Sequence, residues 1–236
     1  VLEPMVKLYR FTNDERYLEF SKKIVREWET PQGPQLISKA SVDVSKRFPA
    51  PKSWYSPEQG QKAYEMMSCY EGLLELYRVT GDPLYKKAVE TTWQNIRDTE
   101  MNIAGSGASE EMWFGGRAKQ TIPVAHFQET CVTVTWIKLN QQLLRLTGEA
   151  KYADEIERSY FNALLGALNG DGSDWAKYTP LVGQRLPGSG QCGMNLNCCN
   201  ASGPRGQFTL PMTTVMSSTH GLAVNFYVPG TYTVTT

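Results

Sequence analysis

Histidine is scarce in this sequence, which has only His126 and His220, and it has no excess of charge, with 24 basic and 24 acidic residues. A balanced charge gives no electrostatic attraction to nucleic acid or to an anionic membrane, so neither is a predicted partner. No apolar run approaches the roughly 20 residues of a membrane span, so membrane insertion is not expected. The serine elbow of Ser-His-Asp hydrolases and the glycine-rich loops that bind phosphate are also missing. The remaining composition is that of an ordinary globular protein.

Cysteine, by contrast, occurs in an informative pattern. The five cysteines are Cys69, Cys131, Cys192, Cys198 and Cys199. An odd number with one adjacent pair is a poor disulfide framework, because neighbouring cysteines seldom bridge each other. At least some of the thiols are therefore predicted to be free or bound to metal. The two solitary ones, Cys69 and Cys192, are interpreted as core residues.

One signature recurs three times along the chain. It reads Arg-x-Thr, then Gly or Asn, then an acidic residue, and its arginines, Arg10, Arg78 and Arg145, are almost evenly spaced. Gly or Asn at a helix end can adopt the left-handed conformation of a C-cap, and an acidic residue suits the start of the next helix. Apolar residues recur at helical spacing on both sides. The repeat predicts three helical hairpins, with second helices over 17–28, 84–96 and 152–168.

Repeated hairpins form either an open solenoid or a closed α/α toroid. Long Gly- and Pro-rich segments at 30–59, 100–128 and 169–207 separate these hairpins, and segments of this length are usually functional. A toroid with long loops at one face fits better. The predicted fold is mainly α, part of an (α/α)6 toroid over 1–207. Strand-like patterns from about Phe208 predict the start of a C-terminal β-sandwich over 208–236. Because the sequence begins inside a helical pattern and ends inside a strand pattern, it is interpreted as a fragment.

Two short clusters carry the residue types that zinc prefers. Glu129-Thr130-Cys131 and Cys198-Cys199 together offer one carboxylate and three thiols, and zinc takes four such ligands in a tetrahedron. Ligands two residues apart can reach one ion from an extended stretch or from the start of a helix. Adjacent cysteines are expected to do so only from an irregular backbone. Spacing alone leaves a metal site and a buried core cluster as equal alternatives.

Three further side chains are candidates for sites. Glu111 lies in a Gly- and Ser-rich loop beside aromatic residues, where a drier setting would suit a general acid. Glu157 falls among apolar residues of the third hairpin, and Tyr178 precedes a Thr-Pro-Leu sequence. For the two glutamates the alternative is an ordinary solvated carboxylate, and Tyr178 is equally ambiguous.

The segment Gln128–Cys131, followed much later in the chain by Asn197-Cys198-Cys199, resembles glycoside hydrolase family 127, the β-L-arabinofuranosidases, and the related family 146. The resemblance extends through the three hairpin signatures, over roughly residues 1–210. It implies an (α/α)6 toroid followed by β-sandwich domains. The residue roles that it implies are zinc ligands at Glu129, Cys131, Cys198 and Cys199, a nucleophile at Cys198, an acid/base at Glu111, and sugar contacts at Glu157 and Tyr178.

The activity implied by this resemblance is the release of β-L-arabinofuranose, with retention, from plant-type glycans or glycoproteins. Zinc would keep the cysteine nucleophile ionised, and the partner would be an arabinose-containing oligo- or polysaccharide. Enzymes that act on plant glycans are often exported, which favours a location outside the cytoplasm. The sequence predicts no oligomeric state.

The chain departs from the family pattern at two places. Asn200-Ala201-Ser202 follows the cysteine pair where many members have x-Pro-Asn, and Lys62 aligns where many carry a histidine. Both departures concern the exact sugar more than the chemistry. The alternative functions are a non-catalytic helical scaffold with a structural zinc, and a carboxylate-only glycosidase or polysaccharide lyase on the same toroid.

Overall fold

The structure is a computed structural model that describes residues 1–49, 62–187 and 197–234. Its α-helices are α1 (Leu2–Thr12), α2 (Glu15–Trp28), α3 (Ala63–Thr80), α4 (Pro83–Thr99), α5 (Thr130–Thr147), α6 (Ala150–Arg158), α7 (Leu165–Ala167) and α8 (Cys198–Thr214). A π-helical segment, Ser159–Leu164, joins α6 to α7, and 3-10 turns lie at Val44–Lys46 and Gly116–Lys119. Cys192 and parts of two predicted long loops lie outside the described residues. None of the helices in the described ranges has the length and apolar composition that crossing a membrane requires.

Four short strands form two antiparallel hairpins. Strand β1 (Ala176–Tyr178) pairs with β2 (Leu186–Pro187), and β3 (Val215–Ser218) pairs with β4 (Gly221–Val224). In the second hairpin Val215 lies opposite Val224. The first hairpin lies in the long segment before α8, and the second follows α8 directly.

The repeated signature forms the turn inside each helical hairpin, as predicted. Asn13, Gly81 and Gly148 end their helices with φ of 57°, 73° and 71°, the left-handed conformation of a C-cap. Asp14 and Asp82 then accept hydrogen bonds from backbone N–H groups in the first turns of α2 and α4. These caps turn the chain sharply, so each pair of helices packs antiparallel.

The helices form two layers. Helices α1, α3, α5 and α8 pack side by side in that order, while α2, α4 and α6 each cover the preceding inner helix. Helices α3 and α5 of the inner layer are largely buried, and between the layers Trp93 stacks on Trp136 at 5.8 Å and meets Tyr152 edge-on at 4.7 Å. The mainly helical fold is confirmed. Closure of these hairpins into a ring remains a prediction.

The predicted loop and strand pattern over 198–214 is wrong, because α8 occupies this stretch. Two prolines in the interior of a helix cost about 3 kcal/mol each, which is why the sequence pattern favours a loop. The Asn197 side chain caps the helix by accepting the Cys199 N–H at 3.0 Å. Gly203 lets the helix approach Trp175, since a Cβ there would lie 2.2 Å from the indole ring. Strands begin only at Val215, and the domain boundary itself stays a prediction.

Helix α8 extends the repeat to a fourth unit. The nearly constant interval of the repeat also separates four charged residues, one on each inner helix: Glu3, Glu71, Lys138 and Arg205. Glu71 and Lys138 are 67 positions apart in the sequence, and so are Cys131 and Cys198. Because α8 lacks the Arg-x-Thr-Gly-Asp ending, its membership is visible from the packing and not from the signature.

Candidate active site

The candidate site lies where three inner helices begin. The residues before the first turns of α3, α5 and α8 are Lys62, Glu129 and Asn197. A cavity of about 320 Å³ opens here and falls within the size range of small-molecule sites. Its lining residues are Lys62, Tyr64, Glu65, Glu111, Glu129, Cys131, Cys198 and Ser202. Helix N-termini favour negative charge, so this end of the layer suits carboxylates and thiolates.

The four predicted ligands meet at this cavity and are called the ligand cluster: Glu129, Cys131, Cys198 and Cys199. Their potential ligand atoms all lie within 4.8 Å of one another. The Cys131 Sγ is 3.3 Å from that of Cys198 and 3.6 Å from that of Cys199, and the Cys198 Sγ is 3.9 Å from the Glu129 Oε1. With zinc–sulfur bonds of about 2.3 Å, sulfurs of a tetrahedral site lie about 3.8 Å apart. The donor set and its spacing therefore fit one metal ion.

Helix starts position these ligands. Glu129 occupies the N-cap of α5 and Cys131 lies in its first turn, as the predicted helix start allows. Cys198 and Cys199 are the first two residues of α8, so the prediction of an irregular backbone for the pair is wrong. Side chains in the first turn tilt towards the helix N-terminus, which brings adjacent cysteines to one point without irregular structure.

Burial and crowding disfavour negative charge on the ligand cluster in the absence of a cation. The neighbouring thiols of Cys198 and Cys199, together with burial, raise the pKa of Cys131. Burial, with the nearby charges of Glu111 and Cys198, raises the pKa of Glu129 well above its ordinary value. A bound divalent cation reverses this balance, since a coordinated thiol loses its proton. Cys198 is the exposed residue of the three cysteines, whereas Cys131 and Cys199 are buried.

Glu111 enters the same cavity from the loop between α4 and α5. Its backbone φ is 70°, an uncommon value for a residue with a side chain, and Ala108, Glu110, His126 and Gln128 nearby also have positive φ. The Glu111 carboxylate is held by two ammonium groups, Lys62 Nζ at 2.9 Å and Lys177 Nζ at 3.4 Å. Backbone strain of this kind concentrates at functional sites, where the surroundings hold it in place.

Residues 2–211 match the family described as the beta-L-arabinofuranosidase, GH127 catalytic domain. The chain belongs to glycoside hydrolase family 127.

Individual relatives of this family 127 chain share about a quarter of its residues or fewer. It is 24% identical over 186 residues to a non-reducing end β-L-arabinofuranosidase of Bifidobacterium longum subsp. longum, covering 72% of the chain and 28% of that enzyme. A solved GH127 β-arabinofuranosidase covers 94% of the chain and 34% of its own, with a TM-score of 0.68 and 24% identity. The match to a GH127 β-L-arabinofuranosidase from Geobacillus stearothermophilus T6 covers 95% of the chain and 39% of that enzyme, with a TM-score of 0.67 and 20% identity. The chain thus spans between a quarter and two-fifths of the length of these relatives.

A buried hydrogen-bond network ties together the segments of the family 127 site. Asn102 Nδ2 donates to Gln128 Oε1 at 2.7 Å, and Gln128 Nε2 donates to the Thr179 carbonyl at 2.8 Å. Glu100, which is fully buried, accepts three backbone N–H groups from residues 114–116 at 2.8 to 3.2 Å. The loop that carries Glu111 is therefore fixed after this residue at two points, at residues 114–116 by Glu100 and at Gln128 by Asn102.

The two predicted sugar contacts differ in their position. Tyr178 forms a bridge with Glu129 and stacks on His126 at 4.7 Å, so it lies beside the ligand cluster. Burial raises the pKa of the Tyr178 hydroxyl. Glu157 is exposed on α6 and is not among the residues found to line the cavity in the described part of the chain. Its role as a sugar contact has no support from this geometry and stays a prediction.

Two residues that line the cavity, Lys62 and Tyr64, lie at positions that the repeat relates to the ligand cluster, although the sequence marks Lys62 only as a departure from the family pattern. Tyr64 precedes Cys131 by one length of the repeat, and Lys62 precedes Glu129 by the same interval, so each occupies the position at the start of α3 that a predicted ligand occupies at the start of α5. Extending the repeat backwards from the Glu-Thr-Cys motif would have found both. Of the two other cysteines, Cys69 packs half-buried against the core, as interpreted from the sequence.

Proposed function

We propose that this chain carries the catalytic centre of a retaining glycoside hydrolase that releases β-L-arabinofuranose from arabinose-containing oligo- or polysaccharides. The observation that carries the proposal is the convergence of one carboxylate and three thiols beside a second carboxylate, Glu111, in one cavity. Family membership supports the sugar and the reaction class, and the relatives named above are β-arabinofuranosidases.

Zinc is the proposed ion for the ligand cluster. Three thiolates and one carboxylate form a donor set that zinc accepts, and harder cations such as magnesium prefer oxygen ligands. When bound, the ion keeps the sulfurs ionised near neutral pH. The buried Cys131 and Cys199 are assigned to holding it, together with Glu129.

Cys198 is the proposed nucleophile because it is the exposed cysteine of the cluster and lines the cavity. Its thiolate attacks the anomeric carbon, and a carbon–sulfur bond forms as the glycosidic carbon–oxygen bond breaks. Glu111 gives its proton to the leaving oxygen. Glu111 then takes a proton from water, the water oxygen bonds to the anomeric carbon, and the thiolate leaves. Two inversions at one carbon give net retention.

The remaining substrate contacts are assigned to two predicted residues. Tyr178 is proposed to contact the sugar, since it bridges Glu129 and its neighbour Lys177 contacts Glu111. Glu157 is retained as a proposed contact on the resemblance alone.

The test is hydrolysis of an aryl β-L-arabinofuranoside by the full-length protein. Replacing the nucleophile in Cys198→Ser is expected to lower kcat/KM more than about a thousandfold, and replacing the acid/base in Glu111→Gln about 100- to 10,000-fold. A strong chelator should abolish turnover, and added zinc should restore it. Cys69→Ser is the matched control, because Cys69 is a half-buried thiol outside the ligand cluster.

The alternatives give different results. A structural zinc in a non-catalytic scaffold predicts bound metal and no hydrolysis by the wild-type protein. A carboxylate-only glycosidase or lyase predicts no bound zinc and an active Cys198→Ser variant. Appreciable turnover by that variant would therefore exclude the thiolate mechanism.

A further inference from the structure

Lys62 makes the closest ion pair with the carboxylate of Glu111. Its Nζ lies 2.9 Å from Glu111 Oε2, and both side chains are mostly buried, with 13% and 10% of their surface exposed. The Lys62 Nζ is also 3.9 Å from Glu65 Oε1, a second carboxylate of the cavity lining. Its charge is therefore directed at carboxylates inside the cavity.

The backbone next to Lys62 holds Glu111 as well. The N–H of Ala63, the first residue of α3, donates to the Glu111 carbonyl at 2.7 Å, and Lys62 forms a β-bridge with Met112. The start of α3 thus holds Glu111 at its main chain and at its side chain. Because Glu111 has a left-handed backbone conformation, such contacts are what keep it in place.

We propose that Lys62 is a positioning residue for Glu111, which it holds in the orientation needed to protonate the leaving oxygen; this rests on the proposed function. The second ammonium, Lys177, is 3.4 Å from the other carboxylate oxygen and also lies over the Tyr178 ring at 4.9 Å. Lys62 supplies the shorter contact, and it comes from the helix start that fixes the Glu111 main chain.

The chemistry gives this role a specific signature. Proton donation matters most when the leaving oxygen is a poor leaving group, such as a sugar hydroxyl, and least when it is an acidic phenol. A displaced Glu111 therefore slows cleavage of poor leaving groups far more than cleavage of good ones. A residue that binds the arabinose ring or retains the metal affects all leaving groups equally, since kcat/KM reports the same first step for each.

The experiment compares full-length wild type, Lys62→Met and Lys62→Arg on arabinofuranosides with graded leaving groups, from a dinitrophenol to an alkyl alcohol. Lys62→Met keeps the length of the side chain and removes its charge. We expect kcat/KM to fall about 10- to 100-fold for the alkyl substrate and less than about threefold for the dinitrophenyl substrate. Lys62→Arg should recover most of the loss. Lys86→Met, which removes an ion-paired lysine on the outer helix α4, should match wild type.

Metal content and melting temperature of each variant separate this effect from a failure to fold or to retain metal. If Lys62→Met loses the same factor on every leaving group, or nothing on any of them, the positioning role is overturned while the proposed function stands. If Lys62→Met does not fold, the same profile is read from Lys62→Gln. If the wild-type protein itself hydrolyses none of these substrates, the proposed function fails and this inference fails with it.

Discussion

The inner helices gather two clusters of polar side chains, and the comparison between them shows what the repeat specifies. The ligand cluster lies at the helix starts. The second, the charge cluster, consists of Glu3 in the first turn of α1, Glu71 in α3 and Lys138 in α5, so it shares only α5 with the ligand cluster. Each cluster includes residues from equivalent positions of successive hairpins, one length of the repeat apart. The repeat therefore determines which residues meet, and it does so twice.

The two clusters differ in the source of positive charge. In the charge cluster the chain supplies it, because Lys138 Nζ lies 2.8 Å from Glu3 Oε2 and 2.6 Å from Glu71 Oε2. In the ligand cluster all four members become anionic when ionised, so a bound cation would favour their ionisation together. Residue identity at equivalent positions thus separates a cluster that contains its own cation from one whose donor atoms suit a metal ion.

Removing one metal ligand is expected to have the largest effect. Cys131→Ser should weaken zinc binding more than about 100-fold, since a neutral hydroxyl replaces a buried thiolate. Zinc at about 1,000 times its dissociation constant stabilises the wild-type fold by about 4 kcal/mol, and Cys131→Ser should lose that gain. Chelator competition and zinc-dependent unfolding measure the two quantities. Equal zinc dependence in both proteins would mean that Cys131 is no ligand.

Removing the internal cation of the charge cluster is expected to lower the unfolding free energy by less, and to do so both with and without zinc. Lys138→Met leaves the buried Glu71 without its partner, and because the Lys138 side chain is itself 25% exposed, the loss of unfolding free energy should stay below the roughly 3–5 kcal/mol that breaking a fully buried pair costs. Lys7→Met is the matched control, because exposed Lys7 pairs with the same Glu3 and surface pairs contribute about 0–1 kcal/mol. Denaturant unfolding with and without zinc measures both. A zinc-dependent loss in Lys138→Met would contradict the separation of the two clusters.

Local chemistry makes much of this architecture predictable from the sequence. The left-handed C-caps at Asn13, Gly81 and Gly148 act through residues close in sequence, so the three hairpins follow from the signature. The ligand types are equally readable, since few residues other than Cys, His and carboxylates bind zinc. That Cys131 and Cys198 meet, however, depends on the packing of α5 against α8. Residue spacing does not predict this packing, and the contact was expected only from the resemblance to a known family.

Tertiary packing accounts for what could not be predicted. Helix α8 contains Pro204 and Pro211, so its propensity argues for a loop, and its contacts with Trp175 and α5 decide otherwise. The contact between Lys62 and Glu111 joins residues 49 positions apart across a loop with no regular pattern. Glu157, a helical position among apolar neighbours, is exposed, and its role as a sugar contact stays a prediction.

The smallest expected effect is the pH dependence that Glu71 of the charge cluster contributes to stability. Burial raises the pKa of Glu71 to about 7, and the Lys138 ammonium offsets only part of that rise. Below about pH 4.5 Glu71 is protonated in both states. Between about 4.5 and 7 the unfolded chain has released this proton while the folded protein retains it, so the free energy of unfolding falls with rising pH, by at most about 1.4 kcal/mol per unit. Above about pH 7 this contribution is constant.

Glu71→Gln removes this titration and keeps the shape of the side chain. The unfolding free energy of wild type minus that of Glu71→Gln is measured from pH 4.5 to 8 without zinc. This difference should fall as the pH rises to about 7 and then stay constant. Burial also raises the pKa of Glu100 to about 7. Glu100 titrates in the same way in both proteins, so its contribution cancels from the difference. A difference that stays flat from pH 4.5 to 7 would mean that Lys138 compensates Glu71 fully. Glu71 would then be ionised in the folded protein throughout this pH range, held in that state by Lys138.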